Sequence, residues 1–197
     1  MVRTLEGALE LIRTYGLITE VPATGVRSLA EAVIRGPVEG SVWRHSKGNL
    51  VYRLGRYLRA SPEVLAVRLW EGKMTFVDRR LWPEVYRVAM EPTRRRAALQ
   101  GLSRSARQLL ERVEREGEVS LPHDECTKER ETLESRLLVQ SSDVPADGKY
   151  WSRLQSWRRW ASVGVRQIAQ SISYAEALNA LASPAGETPP GPWLTAP

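Results

Sequence analysis

The sequence predicts an α+β, helix-rich chain built as two successive units, each a set of helices followed by a short β-hairpin. Three observations carry that expectation. From Ser46 to Ala60 the apolar residues Leu50, Val51, Leu54, Tyr57 and Leu58 fall at the spacing that gathers side chains on one helical face. Directly after it, Val64 to Asp78 alternates apolar and polar residues about a two-residue Glu71-Gly72 turn, as a half-buried hairpin requires. Helix and hairpin patterns then recur in the same order beyond Gly101.

Taken in order, Leu5, Ala8, Leu9, Ile12 and Tyr15 line a first helix that Gly16 can end. Ser28-Leu29-Ala30-Glu31 has the capping-box spacing, and Gly36-Pro37 closes the short helix that follows. The third helix is capped by Ser46 and ended by Ser61-Pro62, because proline disfavours helical geometry in the residue before it. Its polar face is cationic, with Lys47, Asn49, Arg53 and Arg56. In the hairpin, the Glu71-Gly72 turn pairs Trp70 with Lys73, Leu69 with Met74, Arg68 with Thr75 and Val67 with Phe76. That register buries Leu65, Val67, Leu69, Met74 and Phe76 on one side and turns Arg68, Trp70, Lys73 and Thr75 to the other.

Beyond the hairpin, Leu81, Val85, Val88 and Ala89 form the inward face of a helix that tolerates Pro83 in its first turn. Glu91-Pro92 interrupts the chain and sets the boundaries: a first unit over 1–91, a second over 92–182 and a disordered tail over 183–197. The run Arg94-Arg95-Arg96 fits a phosphate contact and a solvated helix or linker equally well. The second unit opens with a helix from Ser103 to Gly117 lined by Ala106, Leu109, Leu110 and Val113. A helix over Thr127 to Ser135 follows, then a hairpin from Leu137 to Gln155 that turns at Pro145-Ala146-Asp147-Gly148. From Ser156 one long helix is expected, with Trp157, Trp160, Ala161, Gly164, Val165, Ile168 and Ile172 on one packed stripe. The capping box Ser173 to Glu176 starts a last helix carrying Ala175, Leu178 and Leu181.

Composition narrows the partners. At 197 residues with 42% hydrophobic and 26% charged content, the chain can bury one core or two small ones. A net charge of +6 and a pI near 9.8 favour a polyanion. The single Cys126 excludes an intramolecular disulfide framework, no apolar run is long enough to span a membrane, and Met1 to Glu10 lacks a signal-peptide core; the expected compartment is cytoplasmic. Most of the seven tryptophans are expected in the core with their indole N–H satisfied, rather than stacked on bases.

Helix, helix, basic helix and hairpin is the order of a winged helix, so the units are expected to be tandem winged-helix-like domains with hairpin wings. Double-stranded DNA is the partner this implies. Asn49, Arg53 and Arg56 would project from the recognition helix, Arg44, His45 and Lys47 would meet phosphates near its N-terminus, and Arg68 and Lys73 would reach out from the wing. In the second unit Lys128-Glu129-Arg130-Glu131 mixes signs and offers phosphate no net attraction.

Three stretches also resemble the compact relatives of the AlkZ crosslink-repair DNA glycosylases: Ser41 to Gly48, Gly72 to Pro83, and Leu137 to Val139 with Ser156 to Ala161. The resemblance spans roughly residues 42–161. It implies tandem winged helices that hold damaged DNA and a Gln-x-Gln or Gln-x-Asp pair that positions a hydrolytic water. Gln167-Ile168-Ala169-Gln170 has one residue too many for that pair, so the fold and partner class carry over and the activity does not. No other catalytic set is readable. His45 reads as a phosphate or backbone contact, His123 and Cys126 are too few for a structural zinc site, and Glu114 with Glu116, like Glu129 with Glu131, reads as a solvated helix face. A non-catalytic DNA-binding protein without cofactor or metal is thus the first reading. A repair glycosylase relative acting on alkylated or crosslinked bases is the second, and a winged-helix protein-interaction module the third.

Overall fold

The computed structural model describes residues 2–122, 124–146 and 149–182 and is an α+β, helix-rich chain with two antiparallel three-stranded sheets. It divides into two compact units, one running to Trp82 and joined by the last helix from Asn179 on, the other running from Pro83 to Leu178.

In the first unit, α1 (Leu5–Tyr15) starts where the Thr4 hydroxyl accepts from the Gly7 N–H and stops at Gly16, whose φ of 72° a side chain would resist. The chain passes at once into β1 (Leu17–Thr19), a strand the sequence pattern did not mark. Then come α2 (Leu29–Ile34), capped by Ser28 and closed by Arg35 in the left-handed region, and a 3-10 turn at Val42–Arg44. Next are α3 (Gly48–Ala60), β2 (Val64–Trp70) and β3 (Lys73–Asp78). β3 lies centrally, with β1 and β2 on either side. Ala8 and Ile12 of α1, Leu29 and Val33 of α2, and Val51, Leu54 and Leu58 of α3 close over Ile18, Val64 and Phe76.

Two expectations here are overturned. Ser46 does not cap α3; the N-cap is Lys47, whose side chain makes no capping bond. The hairpin register also differs. Trp70 does face Lys73 across the Glu71-Gly72 turn, but Arg68 pairs with Met74, Val67 with Thr75 and Ala66 with Phe76, with a bulge between Arg68 and Trp70. The Trp70 N–H donates to the Thr75 hydroxyl at 3.2 Å, and the extra residue in β2 slips everything beyond it by one position. Arg68 and Phe76 consequently share a face, and Val67 and Phe76 do not. Trp70 and Thr75 are fully buried instead of turned outward, with the Trp70 indole N–H on the Thr24 carbonyl at 3.0 Å. Leu65, Val67 and Val77 are buried as well, so both faces of this sheet are covered and an alternation argument had no solvent face to work with.

A buried ion pair joins α3 to the end of β1. Arg59 Nη2 donates to both oxygens of Glu20 at 2.8 and 2.7 Å, and burial pushes the Glu20 carboxyl up against the pull of Arg59. The pair fits because residue 55 is glycine: a β-carbon there would sit 2.2 Å from Glu20 Oε1. Gly55→Ala should therefore cost about 1–3 kcal/mol by displacing a carboxylate that Arg59 holds, read as a lowered urea midpoint.

The second unit contains α4 (Trp82–Met90), α5 (Pro92–Leu99), α6 (Arg104–Glu116), β4 (Glu118–Pro122), α7 (Thr127–Ser135), β5 (Gln140–Ala146), β6 (Lys149–Gln155), α8 (Trp157–Trp160), α9 (Val163–Gln170) and the start of α10 (Tyr174–Ala182). Its sheet has the same order as the first, with the last strand, β6, central. α6 ends at Gly117 with a φ of 78° and passes directly into β4, as α1 passes through Gly16 into β1. The difference lies between the first two strands, where the first unit places α2 and α3 and the second only α7. Ala106, Leu110 and Val113 of α6 pack with Val119, Leu133, Leu138 and Leu154. Asp147 and Gly148 of the expected turn, and the tail over 183–197, lie outside the described residues.

The long helix expected from Ser156 is two helices. Ala161 is extended (ψ 125°), and Ser162 starts α9 afresh by accepting from the Val165 N–H at 3.3 Å. Its stripe is packed only in part: Trp157 and Ala161 are buried, Trp160, Val165 and Ile172 are half-buried, and Gly164 and Ile168 are exposed. In α10 the buried residues are Ala177 and Leu181, while Ala175 is exposed. The arginine run is dispersed around α5. Arg94 is buried and donates to the Arg136 carbonyl, Arg95 pairs with Glu114 of α6, and Arg96 is exposed.

Glu84, in the first turn of α4, has a buried Oε2 with no partner among the described residues, and burial raises its pKa. A carboxyl held above its unfolded value binds its proton more tightly in the folded state. Its contribution is present below the ordinary value of about 4.3 and is lost as pH rises through the folded value. Glu84→Gln should gain in melting temperature relative to the parent as pH increases from about 4 to about 7. No helix among the described residues is long and apolar enough to cross a membrane.

Candidate nucleic-acid interface

Between Glu39 and Glu63 the chain carries Arg44, Lys47, Arg53, Arg56 and Arg59 and no acid. α3 makes up most of this stretch, and burial divides it sharply. Val51, Leu54, Gly55 and Leu58 face the core, while Asn49, Tyr52, Arg53, Arg56 and Tyr57 are exposed. At about 100° per residue, the exposed residues occupy a sector of roughly 140° bounded by Tyr52 on one edge and Tyr57 on the other. Arg56, Asn49 and Arg53 lie between the two tyrosines.

The expected contact residues separate into two groups. Arg44, His45, Asn49, Arg53 and Arg56 are exposed, on α3 or on the turn that leads to it. Gly48 fixes that approach: a β-carbon there would lie 2.6 Å from the Val42 carbonyl and 3.2 Å from Trp43 Cα, so the 3-10 turn is pressed against the start of the helix. His45 Nδ1 accepts from the Lys47 N–H at 3.1 Å. Arg56 lies over the Tyr52 ring at 5.9 Å.

Lys47, Arg68 and Lys73 form the second group, and each is bound within the unit. Lys47 Nζ donates to the carbonyls of Val33 and Ile34 at 3.1 Å each, holding the C-terminal end of α2. Lys73 Nζ bonds the Pro22 carbonyl at 2.8 Å and pairs with Glu71 at 2.7 Å. Arg68 is half-buried, with a long bond of 3.4 Å to the Gly72 carbonyl and a favourable field from Glu20. Neither of these two hairpin residues extends freely into solvent.

Three exposed aromatics escaped the sequence argument: Trp43 at 52%, Tyr52 at 49% and Tyr57 at 56% exposure. Tyr57 was assigned to the apolar stripe, and the correction follows from its place on the stripe's edge. Of the other tryptophans, Trp70 and Trp157 are buried as the core expectation requires, whereas Trp82, Trp151 and Trp160 are half-buried. Trp70 bonds Thr24, Trp82 bonds Val77 and Trp157 bonds Leu137.

A scan against protein-family models finds no match for the chain. Searches of curated proteins and of solved structures find none either.

Among the described residues, the groups that the sequence offered for catalysis or metal binding are dispersed. Gln167 and Gln170 are both exposed on α9. Glu116 is paired with Arg112 and Arg115, and Glu129 accepts from Ser105. Cys126 is the N-cap of α7, and His123 lies outside the described residues. No group of three His, Cys, Asp or Glu residues among the described residues is placed to hold a metal. In α7, Arg130 is buried against Ser152 and lies 3.5 Å from Glu134, so the mixed charges of this helix are partly neutralised internally.

Proposed function

We propose that this chain is a DNA-binding protein of the winged-helix type that contacts duplex DNA through the exposed face of α3. The observation that carries the reading is the acid-free cationic sector of Asn49, Arg53 and Arg56, presented by the helix that precedes the hairpin. Element order supports the winged-helix assignment: helix, strand, helix, helix, hairpin, with the last strand central. The hairpin register does not enter that support. Arg44 and His45 stand on the approach to the helix start, whose backbone N–H groups favour phosphate, and together they would fix the orientation of the helix on the duplex. The second unit, with its third helix missing and the charges of α7 mixed in sign, has a structural role in this reading, and the protein works in the cytoplasm.

Titrating a fluorescent duplex with the protein at several salt concentrations tests the proposal. The expected result is an affinity that falls linearly with the logarithm of salt, because bound cations displace condensed counterions. Absence of binding at low salt would remove the reading. Binding is expected without base excision. Incubation with duplexes carrying alkylated or crosslinked purines, followed by cleavage of abasic sites, should give no protein-dependent strand scission, since Gln167 and Gln170 lack the spacing that positions a hydrolytic water. Scission that is lost on Gln167→Ala or Gln170→Ala would instead establish the glycosylase alternative.

A further inference from the structure

Trp43, Tyr52 and Tyr57 are the three exposed large aromatics among the described residues, and all lie in the stretch from Glu39 to Glu63 that carries no acid. Single exposed aromatics are ordinary on a protein surface. Three within twenty residues, set around arginines, are not accounted for by packing. From this grouping we infer that the α3 face is a stacking platform for unpaired bases, so that the preferred ligand is DNA with a locally opened or single-stranded segment. The inference rests on the DNA-binding reading above and specifies its substrate class.

Paired and unpaired DNA offer different parts of a base to a protein. In an intact duplex the faces of the bases are covered by their neighbours and only their edges reach the grooves. A tyrosine or tryptophan ring presents a face, and it gains the most where a base has left its stack. The geometry of α3 suits that partner. Tyr52 and Tyr57 bound the exposed sector, so a strand crossing it passes the guanidinium groups of Arg53 and Arg56 between two rings. Arg56 already lies over Tyr52 at 5.9 Å, which holds that ring in place before any ligand arrives. Trp43 is held at the N-terminal end of the same helix by the tight packing of its backbone on Gly48. The cations supply attraction to the backbone whatever the base sequence, and the rings supply preference for the unpaired state.

The test compares two DNAs of equal length and charge, one fully paired and one with a central unpaired bubble, in binding titrations at fixed salt. The parent should bind the bubble on the order of tenfold or more tightly, the effect of a single well-stacked base. A variant with Trp43→Leu, Tyr52→Leu and Tyr57→Leu should lose that preference while retaining its affinity for the paired duplex and its salt slope. Tyr52→Phe with Tyr57→Phe, which keeps the rings and removes the hydroxyls, should preserve it. Equal affinity of the parent for both DNAs overturns this inference and leaves duplex binding standing. So does a preference that survives in the leucine variant or disappears in the phenylalanine variant. Failure to bind either DNA overturns this inference and the DNA-binding reading together, and leaves the aromatic face to a protein partner.

Discussion

Phe76→Ala should destabilise the first unit by about 3–5 kcal/mol. The ring is fully buried at the centre of the sheet, where β3 runs between β1 and β2, with Ala66 and Ile18 as its strand neighbours. α1, α2 and α3 close over the same face, and removing the ring leaves a cavity that three helices and a sheet cannot collapse to fill. With a urea dependence of about 1–3 kcal/mol per molar, the loss corresponds to a midpoint shift of roughly 2 M in the transition of this unit. Tryptophan fluorescence can report it, since Trp70 is buried in the same sheet. A loss below about 1 kcal/mol would mean that Phe76 is not enclosed, and the packing of α3 on the hairpin would have to be redrawn.

Much of the helical framework was legible because its signals are local. Ser28, Ser103 and Ser173 cap helices where a serine precedes an apolar periodic run, and Gly16 and Gly117 end them where a positive φ is required. The strand that starts the first sheet was not legible. Leu17-Ile18-Thr19 is short and buried throughout, so it has no alternation, and its pairing partners lie about sixty residues downstream. The slipped register had no local mark either, because at the bulge the Trp70 N–H donates to the side-chain hydroxyl of Thr75 on the neighbouring strand. At Ala161-Ser162 the apolar spacing continued through a break, and a competent N-cap was read as a helix interior.

The candidate interface shows the same division. Helical periodicity was enough to place Asn49, Arg53 and Arg56 on the face opposite the core. It could not reveal that Lys47 is held by the end of α2, or that Lys73 is held by the Pro22 carbonyl, because both partners are distant in sequence. Tyr57 is ambiguous by nature: it stands at the edge of the apolar sector, and an amphipathic ring is stable on either side of that edge.

Charge reversal on the exposed face of α3 examines the central claim most directly. Arg53 and Arg56 both point away from the core residues Leu54 and Leu58, so Arg53→Glu with Arg56→Glu should leave the far-UV spectrum and the urea midpoint close to those of the parent. Arg53 makes no bond to another described residue, and the exposed Arg56 lies over Tyr52 and has a further partner besides that ring. In titrations of a fluorescent duplex across a salt series, the double variant should bind on the order of tenfold or more weakly. Its slope of log affinity against log salt should flatten by about 1.8, since each lost phosphate contact removes close to 0.9. A folded double variant that matches the parent in affinity and slope across the series would contradict the account, and would show that α3 is not the surface that meets DNA.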